Sequence, residues 1–262
     1  MLMIQEGSNT AQYMSAMEAY GVVYSYLYDN LLRDRHLYKY EPYDIQYDNE
    51  TVFYDLDISD KIEGLSIRFM IPERGETARG GFGTDPRGNR YITLFARNIS
   101  AEMFEHLMDD NPTRLFETFK QVFIHEYVHY LDYLRAKNRN VFKKANYRDD
   151  KGKTVPSLYQ NNPLEMNAIF NQYMSSLYDI AKTPWRLMSV DEKLDKLGRS
   201  PTEFVKVAIK TFDAGRPGYV EALTQANKRK LHKRIYDAYS VVQEMIKAAH
   251  KKDPRLKKVT LH

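Results

Sequence analysis

Residues 121 to 133 read Gln-Val-Phe-Ile-His-Glu-Tyr-Val-His-Tyr-Leu-Asp-Tyr, and inside that run His125, Glu126 and His129 form the pattern H-E-x-x-H. On a helix, positions i and i+4 share a face one turn apart. Two imidazoles can therefore reach a single metal ion while Glu126 sits beside it, about 100° around. Neutral imidazole nitrogens suit Zn²⁺, and a catalytic zinc site keeps one position open for a water that a neighbouring carboxylate can deprotonate. With seven histidines in 262 residues, chance would produce the pattern in roughly one such chain in a hundred. The competing reading, two histidines satisfied separately on an amphipathic helix, leaves three polar groups on an otherwise apolar stretch, where burial is costly.

The element that positions the motif can be read from its flanks. Asn111-Pro112 fits an N-cap followed by proline at the first helical position, and Leu115, Phe116, Phe119, Val122, Phe123, Val128 and Leu131 recur at helical spacing. The spacing predicts one helix of about 24 residues with the motif in its second half. A catalytic site needs a third protein ligand. The metzincin continuation, His-x-x-Gly-x-x-His, is excluded, because Tyr-Leu-Asp-Tyr-Leu-Arg follows His129. The other arrangement takes a glutamate from a second helix downstream. Asn162-Pro163 opens such a helix, with Glu165 in its first turn. The same Glu165 also fits a capping box reaching back to Asn162, and the local sequence leaves both readings open. Asp132 shares the face of His125 and His129; it can accept an imidazole N–H or form an ion pair with Arg135. Tyr127, Tyr130 and Tyr133 read as packing or cleft-rim residues.

These two helices together resemble the gluzincin metallopeptidases. The downstream element Tyr159-x-x-x-Pro163-x-Glu165-x-x-Ala168 is similar to that of lethal-factor-type toxins and of predicted phage and bacterial metallopeptidases. The resemblance covers residues 90 to 178. It implies a zincin-like α+β fold: a small mixed sheet with an edge strand packed on the active-site helix, then a mostly helical C-terminal region. It implies Zn²⁺ held by His125, His129 and Glu165, Glu126 as general base, and Tyr159 as hydrogen-bond donor to the oxyanion of a zinc-dependent endopeptidase. One position departs from the pattern. Thermolysin-like gluzincins carry Asp four residues after the ligand Glu, and Ile169 stands there in this chain.

Upstream, Ile45 to Ile58, Leu65 to Ile71 and Arg90 to Ala96 read as strands by alternation and by β-branched or aromatic content. A peptide substrate would add to the edge of such a sheet. Between the last two lies Arg79-Gly-Gly-Phe-Gly-Thr-Asp-Pro-Arg-Gly88, a glycine-dense segment with no Gly-Lys-Ser/Thr after it, hence not a phosphate loop. It reads as a mobile hairpin or cleft flap, with a plain connector as the alternative.

Composition sets the remaining bounds. The absence of cysteine excludes disulfides and thiolate metal sites, leaving histidine and carboxylates as strong ligands. No apolar run is long enough to span a membrane, and Met-Leu-Met-Ile-Gln-Glu has no basic leader, so a cytoplasmic or virion-associated protein is expected. The chain reads as a catalytic domain over residues 1–182 and a helical, basic region over 183–262. In the latter, Thr183-Pro184, Ser200-Pro201 and Gly215-Arg-Pro-Gly218 punctuate short helices. Residues 219 to 251 read as one helix with Leu231, Ile235, Ala238, Val242, Met245 and Ile246 on a stripe. Residues 227–262 hold 11 Lys/Arg against 3 Asp/Glu, a net of +8 in a chain of net +4. Such a patch admits nucleic acid or an acidic partner. A solvated helix face is the better reading, because no aromatic residues interleave with the last basic cluster. The expected partner is a peptide or protein substrate. The alternative to a peptidase is a zincin-fold structural or binding protein, phage virion-associated, with a non-catalytic metal site.

Overall fold

The computed structural model describes residues 9–34, 46–48, 51–72, 78–85, 87–97, 100–110, 112–136, 156–182 and 188–252. One compact unit is Ala11–Arg135; the described residues beyond it form a second. The fold is α+β, with a small mixed sheet and a predominantly helical remainder.

The first unit opens with α1 (Asn9–Asp34). Gln12, Tyr13, Ala16, Ala19, Tyr20, Val23 and Leu27 are buried at three- and four-residue intervals, a single stripe facing the core. Five strands follow: β1 (Gln46–Asp48), β2 (Thr51–Asp57), β3 (Leu65–Met70), β4 (Gly80–Thr84) and β5 (Arg90–Phe95), ordered β1-β2-β3-β5-β4. All neighbours are antiparallel except β3 and β5, which run parallel with Ile67 opposite Ile92. Leu65, Ile67 and Phe69 alternate inward on β3, as do Ile92 and Leu94 on β5. On the other face of β3, Arg68 makes a two-pronged ion pair at 2.6 Å with Asp55, its register partner on β2.

The glycine-dense segment, expected to be a hairpin or flap, forms a hairpin, and its first arm is an edge strand. Gly80 to Thr84 pair with Leu94 to Arg90 as one arm of a β4–β5 hairpin. Its turn is closed by Asp85, whose side chain accepts the Asn89 N–H at 2.9 Å, and by Gly88 at φ +88°.

The expected 24-residue motif helix is interrupted. After α2 (Ala101–Asp110) come α3 (Pro112–Thr118) and α4 (Lys120–Arg135), separated at Phe119. The Thr118 hydroxyl donates to the Leu115 carbonyl at 2.7 Å and the Phe119 N–H turns back to Phe116, a three-residue closure that breaks the helical ladder. Proline begins α3 as the spacing predicts; Asn111, the expected cap, lies outside the described residues. The break does not expose the seam. Phe116, Phe119 and Phe123 remain buried, with Tyr20 of α1 stacked on Phe116 at 4.7 Å and set edge-on to Phe123 at 5.9 Å.

The second unit holds α5 (Pro156–Asn161), α6 (Pro163–Lys182), α7 (Val190–Leu197), α8 (Pro201–Gly215) and α9 (Gln225–Lys252). Ser189 and Glu192 cap α7 reciprocally, and Ser200 with Pro201 starts α8. The expected stripe of α9 is buried from Leu231 to Ile246. The helix begins at Gln225 rather than 219. Gly218 at φ +73° turns the chain, and the Thr224 hydroxyl takes the Asn227 N–H at 3.3 Å as an N-cap.

Candidate metal centre

His125, Glu126 and His129 lie in the most buried stretch of α4, each 8% exposed, between Ile124 and Tyr130. The Nε2 atoms of His125 and His129 stand 3.2 Å apart, with the rings crossing at 81°. Two nitrogens bound at about 2.0–2.1 Å to a tetrahedral zinc are separated by about 3.4 Å, so the imidazoles are already spaced for one ion. Glu165, 6% exposed in the first turn of α6, joins them: one ligand atom from each of the three residues falls within 4.8 Å of the others. A buried His-His-Glu group of this kind could hold a metal ion. Burying a carboxylate against two imidazoles has a physical reason when a cation is shared among them. The donor set fits a zinc or similar divalent ion.

The capping role weighed for Glu165 is only half supported. Asn162 does cap α6, its side-chain oxygen accepting the Leu164 N–H at 2.8 Å. The reciprocal half of a capping box would bring Glu165 to the Asn162 backbone N–H, and that N–H donates instead to the Tyr159 carbonyl at 3.2 Å.

Glu126 is bounded by the edge strand. A Cβ placed on Gly80 would come 2.5 Å from Val122 Cγ1, 2.9 Å from the Thr93 carbonyl oxygen and 3.4 Å from Glu126 Cγ. Only a residue without a side chain lets the β4 backbone lie this close to the motif helix. A glycine inside a strand often marks a close backbone approach, and that is the signal the sequence carries for this contact.

Asp132 accepts the side-chain N–H of Gln12 on α1 at 2.9 Å, which ties the end of α4 to the buried face of α1. The Tyr130 hydroxyl donates to the Glu63 carbonyl, Tyr127 stacks on Phe123, and Tyr133 packs on Phe82 of β4. These three tyrosines pack, one of the two roles expected of them. Tyr159, on α5, is half-buried beneath the Arg216 guanidinium at 4.8 Å. Arg216 follows α8 and has a second ring, that of Tyr219, 6.0 Å away.

No helix among the described residues is long and apolar enough to cross a membrane. No family model matches this chain, and neither the curated proteins nor the solved structures contain a significant match to it.

Proposed function

We propose that this chain is a zinc-dependent peptidase of the gluzincin type with a zincin-like architecture. The observation that carries the reading is the buried His125, His129 and Glu165 group, with Glu126 next in sequence to its first member and buried on the same helix. The position of β4 supports it. This strand is terminal in the sheet order and lies against the motif helix at Glu126, so a peptide paired to its outer edge would bring its amides to the carboxylate.

His125, His129 and Glu165 would hold the metal, which when bound polarises a carbonyl and makes a water acidic enough to attack at neutral pH. Glu126 takes the proton from the attacking water as the new C–O bond forms. It returns that proton to the amide nitrogen as the C–N bond breaks, leaving a carboxylate and an amine. Tyr159 is the donor assigned to the oxygen that carries negative charge between these events. The backbone of β4 orients the substrate strand, and the apolar packing around α4 keeps bulk water from the carboxylate.

The decisive experiment is metal analysis of the purified chain followed by digestion of a peptide library with and without chelator. Stoichiometric zinc with chelator-sensitive cleavage is expected. Zinc without cleavage would move the chain to the structural alternative, and no zinc would remove the reading altogether.

A further inference from the structure

Several contacts fasten the turn between α8 and α9 beside the first two turns of α6. Asn161, just before α6, donates to the Ala222 carbonyl at 3.0 Å and accepts the Thr224 N–H at 2.8 Å. Arg234 of α9 donates to Asn167 at 2.7 Å and lies 4.5 Å over the ring of Phe170. A Cβ on Gly215 would meet the Tyr173 ring at 2.1 Å, so this position admits only glycine without a shift of the ring. Tyr173, Phe212 and Tyr219 then follow ring to ring at 5.3 and 6.3 Å. Tyr219 is thus placed by packing on both sides of its backbone, beside the helix that carries Glu165.

Its phenol is fully buried and has no hydrogen-bond partner among the described residues. An apolar residue would fill the same space without stranding a hydroxyl, and a stranded donor is costly. Charged groups surround the ring. Burial pushes the Tyr219 phenol up; Arg216 and Arg234 draw it down, and Glu165 and Tyr173 push it up again. Arg216 lies over the rings of both Tyr219 and Tyr159, so one cation braces two phenols.

We propose that Tyr219 is a second donor of the active site, giving its O–H to an anionic oxygen bound beside Glu165, with Arg216 holding it and Tyr159 together. The inference rests on the peptidase reading and extends it to the C-terminal unit.

The test uses the full chain loaded with one equivalent of zinc and titrated with inorganic phosphate, a tetrahedral oxyanion without side chains. Tyr219→Phe should weaken phosphate binding by about 10-fold or more, the loss expected for one hydrogen bond to a charged group. It should leave zinc stoichiometry unchanged and should not lower the Tm of the metal-free protein. Tyr239→Phe is the control, since Tyr239 is also a buried phenol without a partner but packs on Phe204; its phosphate affinity should equal that of the parent. Equal affinity in Tyr219→Phe, absence of phosphate binding in the zinc-loaded parent, or a metal-free Tm lowered in Tyr219→Phe alone would overturn the assignment while leaving the peptidase reading intact. Failure of the parent to take up zinc would overturn both.

Discussion

At the residue scale, the proposed reading gives four side chains separable tasks, and substitution should separate them. His125, His129 and Glu165 would bind, whereas Glu126 would move a proton. His125→Ala, His129→Ala and Glu165→Ala should each lower zinc stoichiometry, and Glu126→Gln should keep the metal while abolishing cleavage. Full zinc retention in Glu165→Ala would return that residue to a purely local role at the start of α6. Tyr159 is tested differently, because a donor to the oxyanion acts mainly in the transition state. Tyr159→Phe should lower kcat by on the order of 10 to 1,000-fold with little change in KM. Unchanged turnover beside an inactive Glu126→Gln control would remove Tyr159 from the chemistry. The motif residues were legible in the sequence because helical spacing alone brings His125 and His129 to 3.2 Å. Tyr219 was not, because its place depends on a ring stack and on contacts made by residues far along the chain.

At the element scale, β4 and α4 fit closely at Gly80. Gly80→Ala should destabilise by about 1–3 kcal/mol, the usual cost of overpacking, and should lower turnover as the strand shifts from Glu126. The nearest obstacle to the new methyl is Val122 Cγ1 at 2.5 Å; the next is the Thr93 carbonyl. Adding Val122→Ala should therefore restore part of the stability but not all of it. Additive losses in urea denaturation would show that the two positions do not meet. The packing of α1 on α4 gives a pH dependence. Burial, reinforced by Tyr130, pushes the Tyr127 phenol up to about 12, although a side-chain hydrogen bond with Ser15 acts in the opposite sense. The fold thus prefers the neutral phenol. Its stabilisation is complete below about pH 10, where an unfolded tyrosine begins to ionise, and is lost as pH rises through 12. The loss is at most about 2–3 kcal/mol. Between pH 9 and 11.5 the stability of Tyr127→Phe should fall less steeply than that of the parent; parallel curves would contradict the assignment. Strands β2, β3 and β5 were legible because their side chains alternate. Strand β4 was not, since glycines carry no alternation, and α1 was blurred because tyrosine is neither a strong helix former nor fully apolar. The break at Phe119 turned on one hydroxyl of Thr118 whose choice of partner no periodicity reveals.

At the scale of the whole molecule, charge is divided unevenly, and the uneven part bears on partners. The excess of +8 over residues 227–262 invites a nucleic-acid reading. Within α9, however, several cations are already engaged. Lys233 pairs with Asp237 and Lys247 with Glu244 along the exposed face, while Arg234 turns inward to Asn167 and Phe170. Such surface pairs contribute little to stability, but each lowers the local field that phosphates would meet. The stripe from Leu231 to Ile246 is buried against the second unit's own core, so α9 serves first as a packing element. A protein that neutralises several phosphates loses affinity steeply with salt, with a log–log slope near −0.9 for each phosphate on duplex DNA. Retention of the full chain on duplex DNA or single-stranded RNA should therefore be weak and gone by about 0.2 M salt. Replacing Lys228, Arg229 and Lys230 together by Gln should change neither zinc content nor cleavage. Salt-sensitive retention persisting with a slope of several phosphates, and lost in that triple variant, would instead make the start of α9 a nucleic-acid surface and tie the peptidase to a nucleoprotein substrate.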